Sequence, residues 1–256
     1  MTSKKGHKST RSARTRVRRG NVQDAQQLRA ELLEAAMKLF SEAGLESVSM
    51  REVAARTGVS AMTPYRYFAN KSDLLTGLWQ FVMRSVCDRM AAAIKARDNP
   101  QDRLKASLES FLDYYEANPD HYRLLYMTEQ TTQEQQDAGP TSAPVYAELL
   151  GIVRGVLEEF ARAIGADTTY IKLAADMRAA MQLGYLHGTL INRRYPWSER
   201  SILRAAYIER TIASIEHCLL RGPGQSRGLG TRPVGAGWAE GASSLTGACR
   251  EGIVRG

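Results

Sequence analysis

The chain has 256 residues and a formal net charge of +8, and eight of its 35 Lys and Arg residues fall within residues 1–19, where no Asp or Glu occurs. The remaining 27 basic residues equal the 27 acidic residues in number, so the net charge is confined to the N-terminal stretch. Three distant cysteines argue against a disulfide framework or a zinc site, and no apolar run is long enough for a membrane span or a secretory signal. We therefore expect a cytoplasmic protein with no membrane partner.

Residues 1–27 are rich in Lys, Arg, Ser, Thr and Gln and poor in apolar side chains. A segment of this composition buries too little apolar surface to offset the entropy lost on ordering, so we predict a disordered basic arm. The alternative is a solvated tail without a function.

Two helices are predicted next. Residues 28–43 carry apolar side chains at helical spacing, which indicates a supporting helix. Ser49 lies three residues before Glu52, the spacing of a capping box, so a second helix begins at Met50. Gly58 supplies the residue that tolerates a left-handed backbone at the end of this helix.

A third helix is predicted at residues 61–68, with Ser60 as its N-cap. This is the spacing of a helix-turn-helix, whose second helix can enter a DNA major groove. The helix has no acidic residue, and Met62 or Thr63 is suited to contact a thymine methyl group. Pro64 in its first turn removes a backbone N–H. The candidate DNA contacts are Ser49, Arg51, Ala61, Met62, Thr63, Tyr65, Arg66, Tyr67 and Lys71.

Three sequence runs in this region are VSMREVAARTGVS at residues 48–60, TPYRYF at residues 63–68 and NKSDLL at residues 70–75. In order and spacing they resemble the DNA-binding domain of TetR-family transcriptional regulators, over roughly residues 28–80. Pro64 departs from the leucine that is more frequent in the family. The resemblance implies a homodimer that binds a pseudo-palindromic operator in double-stranded DNA, and an all-helical C-terminal half that binds a ligand.

A long helix is predicted at residues 71–97, beginning beside the recognition helix, and we expect it to act as a lever between ligand and DNA unless it breaks near Trp79. The basic arm lies just ahead of the DNA-binding helices, which favours contact with phosphates or a minor groove. Further helices are predicted at residues 102–116, 145–164, 168–193 and 199–220, with a flexible loop at residues 130–144. By resemblance, the last two helices form the dimer interface.

Aromatic and polar residues of the second half can line an apolar cavity for a small apolar or aromatic effector. The candidate ligand contacts are Tyr115, His121, Tyr122, Tyr126, Met181, Tyr185 and His187. For any one of them taken alone, the simpler explanation is an ordinary core or surface residue.

The sequence thus predicts an all-α protein with an N-terminal three-helix helix-turn-helix domain and a larger helical effector-binding and dimerisation domain. The predicted parts are a basic arm at residues 1–27, the DNA-binding domain at 28–75, the effector domain at 76–221 and a Gly-rich disordered tail at 222–256. Metal-binding, phosphate-loop and nucleophile motifs are missing, so we expect neither an enzyme nor a cofactor. We expect a TetR-like regulator, most simply a repressor released from its operator by an effector. The alternative is a sequence-tolerant architectural DNA-binding protein without an effector.

Overall fold

The computed structural model describes residues 10–128, 144–192 and 194–222 of the chain, with side chains from residue 23 onward. The predicted loop at residues 130–144 therefore lies outside the described residues, except for residue 144. The predicted tail at residues 222–256 also lies outside them, except for residue 222.

The described residues are helical and contain no strand, which confirms the all-α fold. A 3-10 turn at Leu45–Ser47 joins the first two helices, and a π-helical turn at His187–Ile191 continues the helix that ends at Leu186. No described helix is both long enough and apolar enough to cross a membrane. The helices are α1 Thr10–Ala43, α2 Met50–Thr57, α3 Lys71–Lys95, α4 Pro100–Ala117, α5 Pro119–Tyr126, α6 Pro144–Ala163, α7 Ile171–Leu186 and α8 Arg200–Arg221.

Helix α1 begins earlier than the sequence analysis predicted. The supporting helix was expected at residues 28–43, after a disordered arm, but the structure continues this helix back to Thr10. Between residues 10 and 27 the chain has no proline and only one glycine, Gly20, and it is rich in Arg, Gln and Ala, which favour helices. Nothing in this stretch stops a helix from extending towards the N-terminus.

The predicted α-helix at residues 61–68 is not an α-helix. The structure has turns and a 3-10 helix at Pro64–Arg66. The cause is Pro64, which has no N–H to donate to the carbonyl of Ser60; that carbonyl instead accepts from the N–H of Thr63 at 2.9 Å. The N–H groups of Arg66 and Tyr67 likewise donate to the carbonyls of Thr63 and Pro64, three positions back, which is the 3-10 pattern.

Helix α3 is continuous over 25 residues, about 37 Å at 1.5 Å per residue. Its start is capped twice, because Asn70 Oδ1 accepts from the N–H of Asp73 at 2.9 Å and Asp73 Oδ2 accepts from the N–H of Ala69 at 2.8 Å. No break occurs near Trp79, so the helix meets the condition set for a rigid lever.

A large apolar cluster extends from α1 to α8. It joins Leu32, Val53 and Phe68 of the helix-turn-helix region to Leu112 of α4 and Leu149 of α6. A second, smaller cluster is formed by residues of α4, α6, α7 and α8, among them Leu104, Val156, Phe160 and Ile215. Because the first cluster continues across the predicted boundary at residue 75, the DNA-binding helices share a core with the helices that follow them.

Helix α7 buries a face that only partly agrees with its apolar pattern. The spacing of Leu173, Met177, Met181, Tyr185 and Ile191 predicts an apolar stripe, but of these only Tyr185 is buried and the others are partly buried. The buried positions are Ile171, Ala174, Arg178, Gln182, Tyr185 and Leu186. Arg178 and Gln182 are polar, so apolar periodicity alone does not identify the buried face of this helix.

Candidate nucleic-acid interface and effector site

Helix α2 is held by its two ends and by its buried face. Ser49 Oγ accepts from the N–H of Glu52 at 3.2 Å, as the capping-box spacing predicted. Gly58 has φ +73°, and Val59 donates to the carbonyl of Ala54 at 3.1 Å, which closes a Schellman motif. The helix therefore stops at the residue that the sequence analysis named.

The recognition segment, defined here as residues 60–68, is anchored by two buried side chains. Pro64 is buried, and Phe68 is only 1% exposed. The Phe68 ring packs on α3, where a Cβ added to Gly77 would lie 2.8 Å from Phe68 Cε1. The guanidinium of Arg29 in α1 lies 5.0 Å from the centre of the same ring, which adds a cation–π contact. The segment is thus fixed against both α1 and α3.

Between these anchors, the segment presents side chains to solvent. Met62 is 70% exposed and Tyr65 is 52% exposed. Ala61 and Arg66 are exposed too, whereas Thr63 and Tyr67 are half-buried. The hydroxyl groups of Ser60 and Thr63 share a hydrogen bond of 2.9 Å. The predicted contacts in this segment are therefore divided between an exposed set and a partly packed set.

The remaining predicted DNA contacts flank the segment. Arg51 at the start of α2 and Lys71 at the start of α3 are exposed, and Ser49 is half-buried as the cap of α2. Lys71 Nζ donates to the carbonyl of Leu45 at 3.4 Å, which places this ammonium beside the turn before α2. Arg51, Arg66 and Lys71 form no ion pair within the described part of the chain, so their charges are available to an anion.

Arg56 does not belong to this set of free cations. By sequence, Arg56 lies among the basic residues at 51–71 that predict a positive face, but both of its terminal nitrogens donate to Glu42 of α1, at 2.5 and 2.6 Å. The hydrogen bond to Arg56 lowers the pKa of the Glu42 carboxyl group. This bidentate pair joins α2 to α1. Its two residues are 14 positions apart in the chain, so no local sequence pattern indicates their contact.

Three predicted effector contacts come together between α4 and α5. The ring centres of Tyr115 and Tyr122 lie 5.7 Å apart, those of Tyr115 and Tyr126 lie 5.8 Å apart, and those of Tyr122 and Tyr126 lie 4.9 Å apart. The hydroxyl group of Tyr122 donates to the carbonyl of Leu183 in α7 at 3.3 Å. The three rings are thus packed on one another and tied to α7, which is how aromatic side chains fill a core.

The other predicted effector contacts are more dispersed. His121 Nδ1 lies 2.7 Å from the hydroxyl oxygen of Tyr114, and burial lowers the pKa of His121. Tyr185 donates to Glu116 Oε1 at 3.1 Å and stacks on Tyr207 of α8 at 4.6 Å. Met181 is partly buried, and His187 is exposed at the start of the π-helical turn.

Sequence reasoning missed the most unusual polar group in this half of the chain. Arg178 is only 1% exposed, and its neighbour one turn later, Gln182, is also buried. Arg178 Nε donates to Gln182 Oε1 at 3.0 Å, and Nη2 donates to the carbonyl of Ser107 in α4 at 3.2 Å. Burial lowers the pKa of Arg178 to about 10, so the guanidinium remains charged at neutral pH. The sequence did contain one signal: Arg178 falls on the same helical stripe as the apolar residues Ile171 and Ala174.

Comparison with known proteins bears on the N-terminal part first. The family model for bacterial regulatory proteins of the tetR family matches residues 32–78, which include α2, the recognition segment and the start of α3. The HTH-type transcriptional activator FasR of Mycolicibacterium smegmatis is 30% identical over 118 residues, covering 46% of this chain and 54% of FasR. The chain thus matches about half the length of that curated relative.

Longer but weaker similarities extend over the rest of the fold. A fatty acid metabolism regulator protein of Bacillus subtilis is 24% identical over 167 residues, covering 65% of this chain and 81% of that protein. The crystal structure of the transcriptional regulator FadR from Bacillus subtilis in complex with stearoyl-CoA superposes with a TM-score of 0.56 at 19% identity, covering 75% of this chain and 98% of FadR. At that identity the likeness shows the fold alone.

These findings agree with the geometry of residues 49–71, where a capped helix, a left-handed Gly58 and an anchored recognition segment follow one another. The family model that matches residues 32–78 describes regulatory proteins, in agreement with the prediction of a regulator rather than an enzyme. Residues 32–78, which contain the recognition segment, thus match the DNA-binding part of the tetR family of bacterial regulatory proteins.

Proposed function

We propose that this protein is a homodimeric transcriptional regulator that binds a pseudo-palindromic DNA operator through its recognition segment. The observation that carries the proposal is the contrast within that segment: Phe68 is buried against α1 and α3, while Met62 and Tyr65 stand out in solvent. A rigid backbone with exposed side chains suits contact with base edges and phosphates. Residues 60–72 also contain no carboxylate that would repel DNA.

The proposed contacts divide by chemistry. Met62 and the methyl group of Thr63 are suited to thymine methyl groups, whereas Tyr65, Tyr67 and Lys71 are suited to phosphate oxygens. Arg51 and Arg66 supply further positive charge, and Ser49 and Ala61 lie at the edges of the surface. The 3-10 backbone at Pro64–Arg66 shortens the reading element to about one turn. We therefore expect few base contacts per half-site and a large share of phosphate contacts.

Dimerisation is proposed through the outer faces of α7 and α8. Ile202 is 63% exposed, and Leu220 is also exposed. On α7, Ala180 and Gly184 are exposed, and a Cβ added to Gly184 would meet nothing within 4 Å. Apolar side chains on one helix and small residues on the other allow two copies of the chain to pack closely, which would place two recognition segments on one operator.

An effector is proposed to act through α3. This helix begins directly after the recognition segment and then packs on α4 and α6, with the hydroxyl group of Tyr114 donating to the carbonyl of Val82 at 3.3 Å. A molecule that separates these helices would tilt α3 and move the reading heads apart. FadR, solved with stearoyl-CoA, gives a precedent for an effector that carries a long acyl chain, and release from the operator would then relieve repression.

The experiment is selection of DNA from a random pool of duplexes by the purified full chain, followed by footprinting on the recovered sequence. The proposal expects one imperfect palindrome, protected by a dimer. A sequence-independent coating of duplexes would instead support the architectural alternative. Transcription from a promoter that carries the recovered site then separates repression from activation, which is the activity named for FasR.

A further inference from the structure

Arg178 is a charged group that the fold encloses without matching its hydrogen-bonding capacity. Two of its nitrogens have partners, but Nη1 is buried and has none. Nε2 of Gln182 is likewise buried without an acceptor. Buried donors are normally paired, and a buried cation normally faces an anion, because the loss of hydration is otherwise uncompensated.

Both partners of Arg178 are neutral. The guanidinium donates to the amide oxygen of Gln182 and to the main-chain carbonyl of Ser107, and the described residues offer it no carboxylate. Its other close electrostatic neighbour is Tyr207 of α8, whose buried hydroxyl group also has no hydrogen-bond partner. Since a single copy of the chain already buries Arg178, a partner subunit that packs on the outer faces of α7 and α8 would not reach Nη1. An anionic acceptor for Nη1 would have to enter between α4, α7 and α8.

Apolar side chains border this polar pair. One and two turns towards the start of α7 lie Ala174 and Ile171, which belong to the second apolar cluster together with residues such as Leu104, Val156 and Phe160. A ligand with one anionic end and an apolar body would therefore find both of its parts matched. The free guanidinium nitrogen of Arg178 and the free amide nitrogen of Gln182 are both suited to donate to carboxylate oxygens.

We propose that Arg178 and Gln182 form the receptor for the carboxylate group of an amphiphilic effector, whose apolar part lies along the second cluster. The inference deepens the proposed function, since it assigns a chemical class to the effector of that regulator. It also supplies a route to α3: the guanidinium is bonded to Ser107 of α4, and α4 packs along α3. A carboxylate that draws Arg178 away from Ser107 would loosen α4 and thereby shift α3.

The first test measures the melting temperature of the full chain with straight-chain carboxylates from octanoate to octadecanoate, each below its critical micelle concentration. The neutral primary amides of the same acids serve as matched controls. A carboxylate of suitable length, at about 100 times its Kd, should raise Tm by about 5–10 °C, while the amide should not. Stabilisation by dodecanoyl-CoA but by no free carboxylate, or no response to any carboxylate, would overturn the proposal.

Two variants test the residues themselves. Arg178→Met should weaken carboxylate binding by about 10–100-fold, yet leave the melting temperature of the unliganded protein equal to or above that of the wild type, because it removes an unmatched buried charge. Gln182→Glu places a carboxylate beside the guanidinium, so it should raise Tm and abolish the response to added ligand. A strongly destabilised Arg178→Met protein, together with an unchanged Tm for Gln182→Glu, would show that Arg178 already has all its partners.

Failure of this inference can be told from failure of the proposed function. Ligand binding is followed by Tm and calorimetry without DNA, and operator binding is followed by fluorescence anisotropy without ligand. If the chain binds its operator but no carboxylate, only the receptor role assigned to Arg178 is refuted. If the chain binds carboxylates but shows no preference among DNA sequences, the proposed regulator is refuted and the receptor role is supported.

Discussion

The ring of Phe68 lies against the backbone of Gly77, so that the last residue of the recognition segment is seated on the second turn of α3. No side chain larger than hydrogen fits at residue 77, because its Cβ would lie 2.8 Å from Phe68 Cε1 and 3.4 Å from Leu33 Cδ2. This contact transmits the position of α3 to the surface proposed to bind DNA. The predictions below begin with it.

Gly77→Ala should weaken operator binding although alanine is the better helix former. The gain in helix propensity is about 1 kcal/mol, whereas forcing the Phe68 ring out of its seat costs roughly 1–3 kcal/mol. Fluorescence anisotropy at fixed salt measures the DNA affinity, and urea unfolding measures the stability. The matched control is Gly151→Ala in α6, where an added Cβ meets nothing within 4 Å, and which should be stabilising without an effect on DNA. Equal behaviour of the two variants would refute the seating argument.

Arg66 and Arg56 should differ in the salt dependence of DNA binding. Arg66→Ala should reduce the slope of log affinity against log salt by about 1, because one phosphate contact and its released counterion are lost. Arg56→Ala should leave the slope unchanged, since that guanidinium is already paired with Glu42. Titrations at four or more salt concentrations give both slopes. The same decrease in both variants would mean that the Arg56 ion pair opens on DNA.

Tyr65→Ala and Lys71→Ala should each weaken operator binding about tenfold at matched salt while the dimer remains intact. Both side chains are exposed, so their removal leaves the core unchanged. Lys95→Ala, at the far end of the same helix as Lys71, is the control for loss of one lysine charge. An affinity for Tyr65→Ala and Lys71→Ala equal to that of the control would remove these residues from the interface.

Deletion of residues 1–19 should flatten the salt slope further than any single substitution, because eight cations are removed together. The specificity for the selected operator over a scrambled duplex should change less than the affinity, since phosphate contacts carry no sequence information directly. The same titrations, on the full and shortened chains, measure this. An identical slope for the two proteins would show that the arm does not contact DNA.

Cys87 should make the protein less stable at alkaline pH. Burial raises the pKa of its thiol to about 11 from an ordinary value near 9.0, so the folded state favours the protonated thiol. Its contribution is fully present below pH 9 and is lost as the pH rises towards 11, by about 2 kcal/mol at pH 10.5. Urea unfolding of the wild type and of Cys87→Ala at pH 8 and pH 10.5 isolates this effect from that of the buried tyrosines. A stability loss of equal size in both proteins would contradict it.

The local features of the helix-turn-helix were predictable from the sequence, because each depends on residues within one or two turns. The Ser49 cap and the left-handed Gly58 stand where the residue pattern placed them. The missing N–H of Pro64 was also evident from the sequence, but the sequence pattern still predicted an α-helix at residues 61–68. One missing N–H converted a predicted α-helix of eight residues into a 3-10 helix of three.

Contacts between residues far apart in the chain were decided by the tertiary structure alone. The pairing of Arg56 with Glu42 and the seating of Phe68 on Gly77 join different helices, and no periodicity encodes them. The burial of Arg178 is the clearest case: its polar side chain interrupts the apolar pattern of α7, whereas packing against α4 and α8 encloses it. By itself the sequence determined helices, caps and a DNA-reading element, since these follow from short-range backbone chemistry. Which charges are free, which are paired and which lie buried without a partner depended on how the helices pack, because burial is a property of the assembled fold.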